Sequence, residues 1–527
     1  MNKFGSIVKQ ATILAIAGIL VRIIGVLYRS PLTMLIGDEG IGYYSTAYNI
    51  YALVLLISSY SIPTAISKLI SEKLAVGEYK NANKILQCAF IYIIAIGGSA
   101  AIIAFILAPY IVSKNAVMAL RILCPTIFLS GLLGVFRGYF QAQQTTLYTS
   151  VSQILEQILN ALVSVGAAYL FIQPYTAGSS ELASHGAAGS ALGTGAGVLA
   201  GLIYMILVYI RKKGYEKEEI ESDYTDSYSD IFKMILHIVT PIIIATCVYN
   251  LVSTIDMYIY YFMSNLHHLT DVESAINFGI YSGKYIVLTN VPVALASAMS
   301  TASIPAISTA YAKNDKKEPR SHIQKGITLI MILLIPMTVG MAVLAKPIMT
   351  LLFPQKSSIE IASRLLMFGS PAIVFYGLST FTNGVLQAIG EVNIPLKNAV
   401  KALIIHVVLI SALLFLTNLD IYILVIGNAT YALTVCILNS IYLNKILGYK
   451  EKFKSTYILP LISSIIMGIL VYISYIVIRN ILGNYLIAMM ISVVIGVIVY
   501  FAIIIYFYAG SNNVDLNKIP VLNKFIK

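Results

Sequence analysis

With loops set aside, the ionisable side chains singled out at depth in the apolar stretches of this 527-residue chain are Arg22, Arg29, Arg121, Arg137, Lys284 and Arg364 as cations, Glu156 and Asp256 as anions. At the centre of a membrane helix each such charge costs about 2.5–3.5 kcal/mol on insertion scales. Six cations against two anions cannot all be internal ion pairs, so the excess requires water or an anionic ligand. Arg22 and Arg29 are the sharpest case. They stand seven residues apart in "GILVRIIGVLYRSPL" (18–32). A helix drifts only about 20° over seven residues, so both guanidinium groups share one face, roughly 10 Å apart along the axis. Forked donors stacked in this way suit an anionic ligand.

Each of these residues also has a plainer reading. Arg121 and Arg364 sit near helix ends, where arginines snorkel to headgroups. Arg29 precedes Pro31 and can reach the outer surface. Arg22 can pair with Glu156 or Asp256. Arg137 is equally suited to substrate contact and to closing the cytoplasmic side through hydrogen bonds to helix ends. Lys284 lies in "YSGKYIV". The candidate substrate-binding set is therefore Arg22, Arg29, Arg137, Lys284 and Gln141, with Glu156 and Asp256 as ion-coupling or charge-pairing groups. "HHLTDVE" (267–273) gathers His and acidic residues, but a solvated outer loop explains it better than a metal site. "GTGAGVLAG" (193–201) follows no strand, so it fails as a dinucleotide fingerprint. Gly189, Gly193, Gly197 and Gly201 instead form a four-residue ladder suited to close helix packing. The four cysteines lack metal or disulfide spacing. No Ser/His/Asp set and no P-loop is present, so the expected protein is a transporter, not an enzyme, with no cofactor. Its energy would come from a coupling ion, the membrane potential or downstream consumption of product.

The elements that must position these residues follow from composition. The chain is 58% hydrophobic and 11% charged, against about 25% charged in soluble proteins. Apolar runs long enough to span a bilayer fall near 11–36, 42–69, 84–110, 117–142, 147–173, 186–210, 232–263, 276–311, 322–345, 358–389, 395–417, 419–444, 456–478 and 483–508. The expected fold is an all-α integral membrane protein of about 14 transmembrane helices. The net charge of +12 lies mostly in short loops of one side, the other side's loops holding only Lys114, Lys346, Lys356 and Arg479, which argues against nucleic acid and places both termini in the cytoplasm of a cell-membrane protein. An internal repeat is visible: "GLLGVFRGYFQA" (131–142) matches "GLSTFTNGVLQA" (377–388) at an offset of 246, and "SIPTAIS" (61–67) echoes "SIPAIS" (303–308). Six helices separate the copies, so the halves are parallel repeats, a transporter arrangement. This reading gives an N-lobe at 1–222, a C-lobe at 223–448 and two further helices at 449–527, with the polar linker 211–230 dividing the lobes.

"VFRGYFQAQQ" (135–144) with "SQILEQI" (152–158), "RIIGVLYR…IGDEGIGYY" (22–44), "STIDMYI" (253–259) and "VPVALASAMSTASIPAIS" (291–308) resemble segments of the MurJ/SpoVB-type flippases, whose wider superfamily includes MATE drug exporters. The resemblance implies two six-helix bundles around a cavity and movement of a polyprenyl-pyrophosphate-linked saccharide from inner to outer leaflet. The peptidoglycan precursor lipid II is the leading cargo, with membrane lipids and cell-wall synthesis proteins as further partners. It maps the cavity-facing cations of the first helix onto Arg22 and Arg29. The family's acid early in helix two has no direct counterpart, because Asp38 and Glu39 fall in the preceding turn. The last two helices would border a groove for the lipid tail. Alternatives are a teichoic, capsular or sporulation-related cargo, a MATE-like cation-coupled drug exporter, or a non-transporting scaffold.

Overall fold

The computed structural model describes residues 3–212, 226–312 and 317–509. Most of the linker 211–230 lies outside the described residues, as do Lys313, Lys316, Lys518, Lys524 and Lys527. All regular structure among the described residues is helical. It comprises α1 (Lys3–Leu55), α2 (Ile62–Ala75), α3 (Tyr79–Tyr92), α4 (Gly98–Ile111), α5 (Val117–Ala142), α6 (Leu147–Ile172), α7 (Ser180–Lys212), α8 (Tyr228–Leu266) and α9 (Asp271–Ile280). There follow α10 (Ile286–Ala312), α11 (Lys317–Val343), α12 (Ala345–Leu352), α13 (Ile359–Gly369), α14 (Pro371–Ala388), α15 (Asn393–Leu416), α16 (Tyr422–Leu447), α17 (Leu459–Leu482) and α18 (Tyr485–Ala509).

Every predicted apolar run lies on helix. Eleven helical stretches are long and apolar enough to cross a membrane, and the bent pair α13–α14 makes up to twelve. One of the eleven, Ile16–Ala75, contains two of the predicted runs, and α8 covers the run at 232–263. Fourteen spans are compatible with this arrangement. The breaks have identifiable causes. Gly37 divides α1 with φ of 70°, a conformation that a side chain would strain. The 47° bend between α13 and α14 falls at Ser370, ahead of Pro371, which has no N–H to continue the helical ladder and crowds the carbonyl one turn back. Short π-helical turns at Leu56–Tyr60, Ile93–Gly97 and Tyr281–Tyr285 interrupt other spans.

The chain forms two compact units. The first comprises Met1–Val291 and Leu396–Gly427. Its largest apolar core gathers α2, α3, α5, α7 and the start of α8 around Ile66, Ile85, Phe140 and Met205. The glycine ladder of α7 sits against α6 as expected. A side chain at Gly189 would come within 2.7 Å of the Ala167 carbonyl oxygen, and one at Gly197 would strike the Glu156 carbonyl. The second unit comprises Pro292–Pro395 and Asn428–Lys527. One core joins α10, α11, α14 and α16 around Ile327, Met331 and Phe381. Another joins α11 and α12 to α17 and α18 around Met467, Val471 and Tyr500.

The sequence repeat recurs as a packing motif within each unit. In the first, Gly131 and Gly138 of α5 pack on the segment 59–66: a methyl at Gly138 would lie 2.7 Å from the Pro63 carbonyl oxygen, and one at Gly131 would lie 2.9 Å from Ser59 Oγ. In the second, the matching Gly377 and Gly384 of α14 pack on Ala296, Ser300 and Ile304 of α10. The two echoed motifs therefore touch each other in both copies.

Candidate functional site

Arg22 and Arg29 both lie on α1, as the spacing predicts. Arg22 is exposed and Arg29 is half-buried. The Arg29 guanidinium lies 5.3 Å from the ring centre of Tyr44, a cation–π contact. Tyr28, Tyr44 and Tyr48 are its electrostatic neighbours, and Arg22 and Glu156 also act on Tyr48. Nη1 of Arg29 is buried and makes no hydrogen bond. It faces Gly283, where an added methyl would sit 3.9 Å away. An unsatisfied guanidinium nitrogen beside an aromatic wall is an arrangement that an oxyanion completes.

Lys284 is not free to serve as an independent ligand. It is 1% exposed and pairs with Asp38, itself 7% exposed, at 2.7 Å to Oδ1 and 3.0 Å to Oδ2. Asp38 was expected in a turn between two helices. The backbone instead turns at Gly37 alone, and Asp38 opens the second half of α1 inside the protein. Two glycines four residues apart, Gly279 and Gly283, bring the chain there into close register with α1: side chains at these positions would strike the Asp38 carbonyl and Ile41. Asp38 and Lys284 are 246 residues apart in the chain. The pair therefore joins two segments far apart in the chain, the second half of α1 and the turn after α9.

Arg137 is directed onto α6. Its Nη2 lies 2.7 Å from Glu156 Oε2 and its Nε donates to Ser152 Oγ at 2.9 Å. Side-chain exposures of 16% and 30% leave this pair within reach of water. Glu156 therefore answers Arg137, not Arg22. Gln141 lies one turn further on and makes a long contact of 3.4 Å to Thr149 Oγ1. Asp256 of α8 is buried against His406 of α15, with Oδ1 2.5 Å from Nε2. Sequence reasoning missed His406. It lies 150 residues from Asp256 in an apolar stretch, and no local spacing links them.

The remaining candidates resolve locally. Arg121 is exposed, 5.1 Å from the Phe105 ring centre. Arg364 pairs with Glu360 one turn away, both more than half exposed. In the segment 267–273, Glu273 forms a capping box with Thr270 at the start of α9, and His267 Nε2 lies 3.0 Å from the Leu414 carbonyl oxygen. Among the described residues no three His, Cys, Asp or Glu side chains converge as a metal site.

Comparison with known proteins agrees with this architecture. The model of the family "Polysaccharide biosynthesis protein" matches residues 7–311, more than half of the chain, and the MatE model matches residues 241–411. The chain is 24% identical to lipid II flippase MurJ of Bacillus subtilis (strain 168) over 475 residues, covering 86% of this chain and 85% of that protein. It is 22% identical to stage V sporulation protein B of the same organism, covering 85% of each chain. Among solved structures, lipid II flippase MurJ in an inward closed conformation superposes with a TM-score of 0.70 at 18% identity, over 94% of this chain and 99% of that one. An inward-facing multidrug resistance MATE transporter of the MOP superfamily superposes at 0.66 and 13% identity, over 82% and 98%. The proteins it resembles are membrane transporters, and this chain is a multi-pass membrane protein with their fold.

Proposed function

The chain belongs to the polysaccharide biosynthesis protein family, and on that premise we propose that it is a flippase for a polyprenyl-pyrophosphate-linked saccharide. It moves this cargo from the inner to the outer leaflet by alternating access of two six-helix repeats, with both termini in the cytoplasm. Lipid II is the favoured cargo, because the lipid II flippase of Bacillus subtilis aligns over most of both chains. Likeness to a sporulation protein keeps another lipid-linked polysaccharide as the alternative. Membrane lipids surround the tail, with residues 449–527 as its groove, and cell-wall synthesis proteins are its candidate partners.

The observation that carries this reading is the cationic face of α1. Arg29 holds an unpartnered buried Nη1, and Arg22 is exposed seven residues away. A pyrophosphate supplies the acceptor that Arg29 Nη1 lacks and a counter-charge for Arg22. A cationic drug would instead need open carboxylates inside the membrane. Here Glu156 is engaged by Arg137 and Asp256 by His406, which disfavours the exporter reading.

The test is complementation in a bacterium whose own lipid II flippase can be shut off, scoring outer-leaflet lipid II with expression checked. Wild type restores it, and Arg22→Ala and Arg29→Ala do not. Glu156→Gln is milder than Arg22→Ala, since Glu156 only positions Arg137; the reverse order would point to proton coupling through Glu156. Failure of a well-expressed wild type moves the cargo to another polyprenyl-linked glycan. Equal rescue by wild type and the arginine variants refutes the cationic site and favours a scaffold role.

A further inference from the structure

Tyr44, Tyr48 and Tyr51 stand four and three residues apart on the second half of α1, a spacing that puts all three on one face. Their rings form a ladder. Tyr44 stacks on Tyr48 with ring centres 5.8 Å apart, and Tyr48 meets Tyr51 at 5.5 Å. The two end rings are fixed through their hydroxyls, Tyr44 on Thr194 of α7 and Tyr51 on Ser130 of α5. The middle ring differs from both. Its hydroxyl makes no hydrogen bond among the described residues. Tyr48 is also 37% exposed, although Tyr44, Ala47 and Tyr51 around it on the helix are buried. A ring kept only for packing would be covered as its neighbours are. An open ring in the middle of a packed face borders an internal space, not lipid.

The arginines border the same space. Beyond the break at Gly37 the second half of α1 runs back past the first. The Arg29 guanidinium lies over Tyr44, and both Arg29 and Arg22 act on Tyr48. A further group enters from α6. Gln157 sits on α1 between the two arginines: a methyl at Gly25, three residues from Arg22 and four from Arg29, would lie 3.6 Å from Gln157 Nε2. The Gln157 amide makes no hydrogen bond among the described residues. Chemistry separates these two groups from the guanidiniums. A pyrophosphate offers acceptors, so arginine donors serve it. Gln157 Oε1 can only accept, and Tyr48 adds an apolar ring with a hydroxyl. Such groups answer a ligand that is rich in O–H and N–H donors and has apolar C–H surface, which describes a sugar. Glu156, also beside Tyr48, is already held by Arg137.

We propose that Tyr48 and Gln157 form a saccharide subsite beside the arginines and read the first sugars of the lipid-linked cargo. Resting on the flippase reading, this divides recognition in two. Arg22 and Arg29 hold the charge common to every polyprenyl pyrophosphate, and Tyr48 and Gln157 distinguish a glycosylated one from a bare one. Tyr44 joins the two parts, touching Arg29 on one side and Tyr48 on the other. Tyr44 and Tyr51, with their hydroxyls engaged, are positioning residues for the ring between them.

The experiment measures binding of two lipids to the full-length protein in lipid nanodiscs. One is lipid II stripped of its peptide, so that it carries the disaccharide alone; the other is the same polyprenyl pyrophosphate with no sugar. Wild type should bind the first more tightly. Tyr48→Leu and Gln157→Leu should each weaken it about tenfold, the scale of one net hydrogen bond, and leave binding of the bare lipid unchanged. That unchanged binding also shows that each variant is folded. Arg29→Ala should weaken both lipids. If Tyr48→Leu and Gln157→Leu weaken both lipids equally, or neither, the subsite is overturned and the flippase reading stands. A second readout needs no loss of affinity. The chain has no tryptophan, so Tyr48→Trp places a single indole in the subsite. Its emission should shift with the disaccharide lipid and not with the bare one; the same response to both overturns the subsite. A wild type that binds the two lipids equally well also overturns the subsite alone. A wild type that binds neither refutes the flippase reading, and the subsite with it.

Discussion

The two halves of the repeat are packed alike and charged differently. Gly138 in the first and Gly384 in the second each hold their helix against the echoed Ser-Ile-Pro segment. Beside them, Arg137 of the first half meets Glu156 and Ser152. Its counterpart at the same offset, Asn383, accepts from Asn439 Nδ2 at 2.8 Å. The conserved feature between halves is therefore close backbone approach, which only the smallest residue permits, and the feature that differs is charge. A fold built by repetition has to break its symmetry in side-chain chemistry to recognise an asymmetric ligand. The buried pair of Asp38 with Lys284 is another charge contact that the repeated glycine packing does not account for.

The largest effect should come from that pair. Removing one partner of a buried ion pair costs about 3–5 kcal/mol, so Lys284→Met should lower the thermal midpoint in detergent markedly. Asp38→Asn combined with Lys284→Met should recover most of the loss. Equal damage from single and double substitutions would mean that packing, and not charge, holds this junction. Next come the two glycines. Gly138→Ala meets the Pro63 backbone, which cannot rotate away, and should cost about 1–3 kcal/mol. Gly384→Ala meets the Ser300 hydroxyl, which can turn aside, while alanine gains up to about 1 kcal/mol of helix propensity. The second substitution should therefore be near neutral, and equal costs would contradict the contrast between the two seams. Arg137→Ala should cost about 1–2 kcal/mol, less than a fully buried pair because Glu156 retains access to water; Asn383→Ala should cost about 1 kcal/mol for a lost hydrogen bond. A double-mutant cycle of Arg137 with Glu156 checks whether charge accounts for the difference.

The smallest effect concerns pH at the turn between α2 and α3. Hydrogen bonds from Lys73 and Asn81 hold the Glu78 carboxyl below its usual value of 4.5. A lowered folded-state value contributes stability above the unfolded one and loses it as pH falls through the folded one. Hydrogen exchange at residues 73–81 should therefore quicken in acid below that range, and Glu78→Gln should remove the dependence. An unchanged acid response in Glu78→Gln would assign it to another group.

Much of the architecture was legible in the order of residues. Continuous apolar runs have no stable alternative to helix in a bilayer, because every backbone polar group must be satisfied within the segment. The glycine ladder and the repeat were legible because close packing demands small residues at fixed intervals. Arg22 and Arg29 were legible as a pair because both lie on one uninterrupted helix. The partners of the other charges were not. Asp38 looked like a turn residue because a Gly-Asp-Glu-Gly string signals a loop locally, and only the chain that packs against it makes that position interior. His406 carries no local signal at all.

The sequence by itself determined that this is an all-helical membrane protein with an excess of intramembrane cations, since bilayer insertion and helix periodicity act along the chain. Only the tertiary structure decided which charges answer one another: Asp38 with Lys284, Glu156 with Arg137, Asp256 with His406, and Arg29 Nη1 with nothing. Pairing in a low-dielectric interior depends on distances of a few ångströms between side chains as far as 246 residues apart, and no local pattern encodes such a distance.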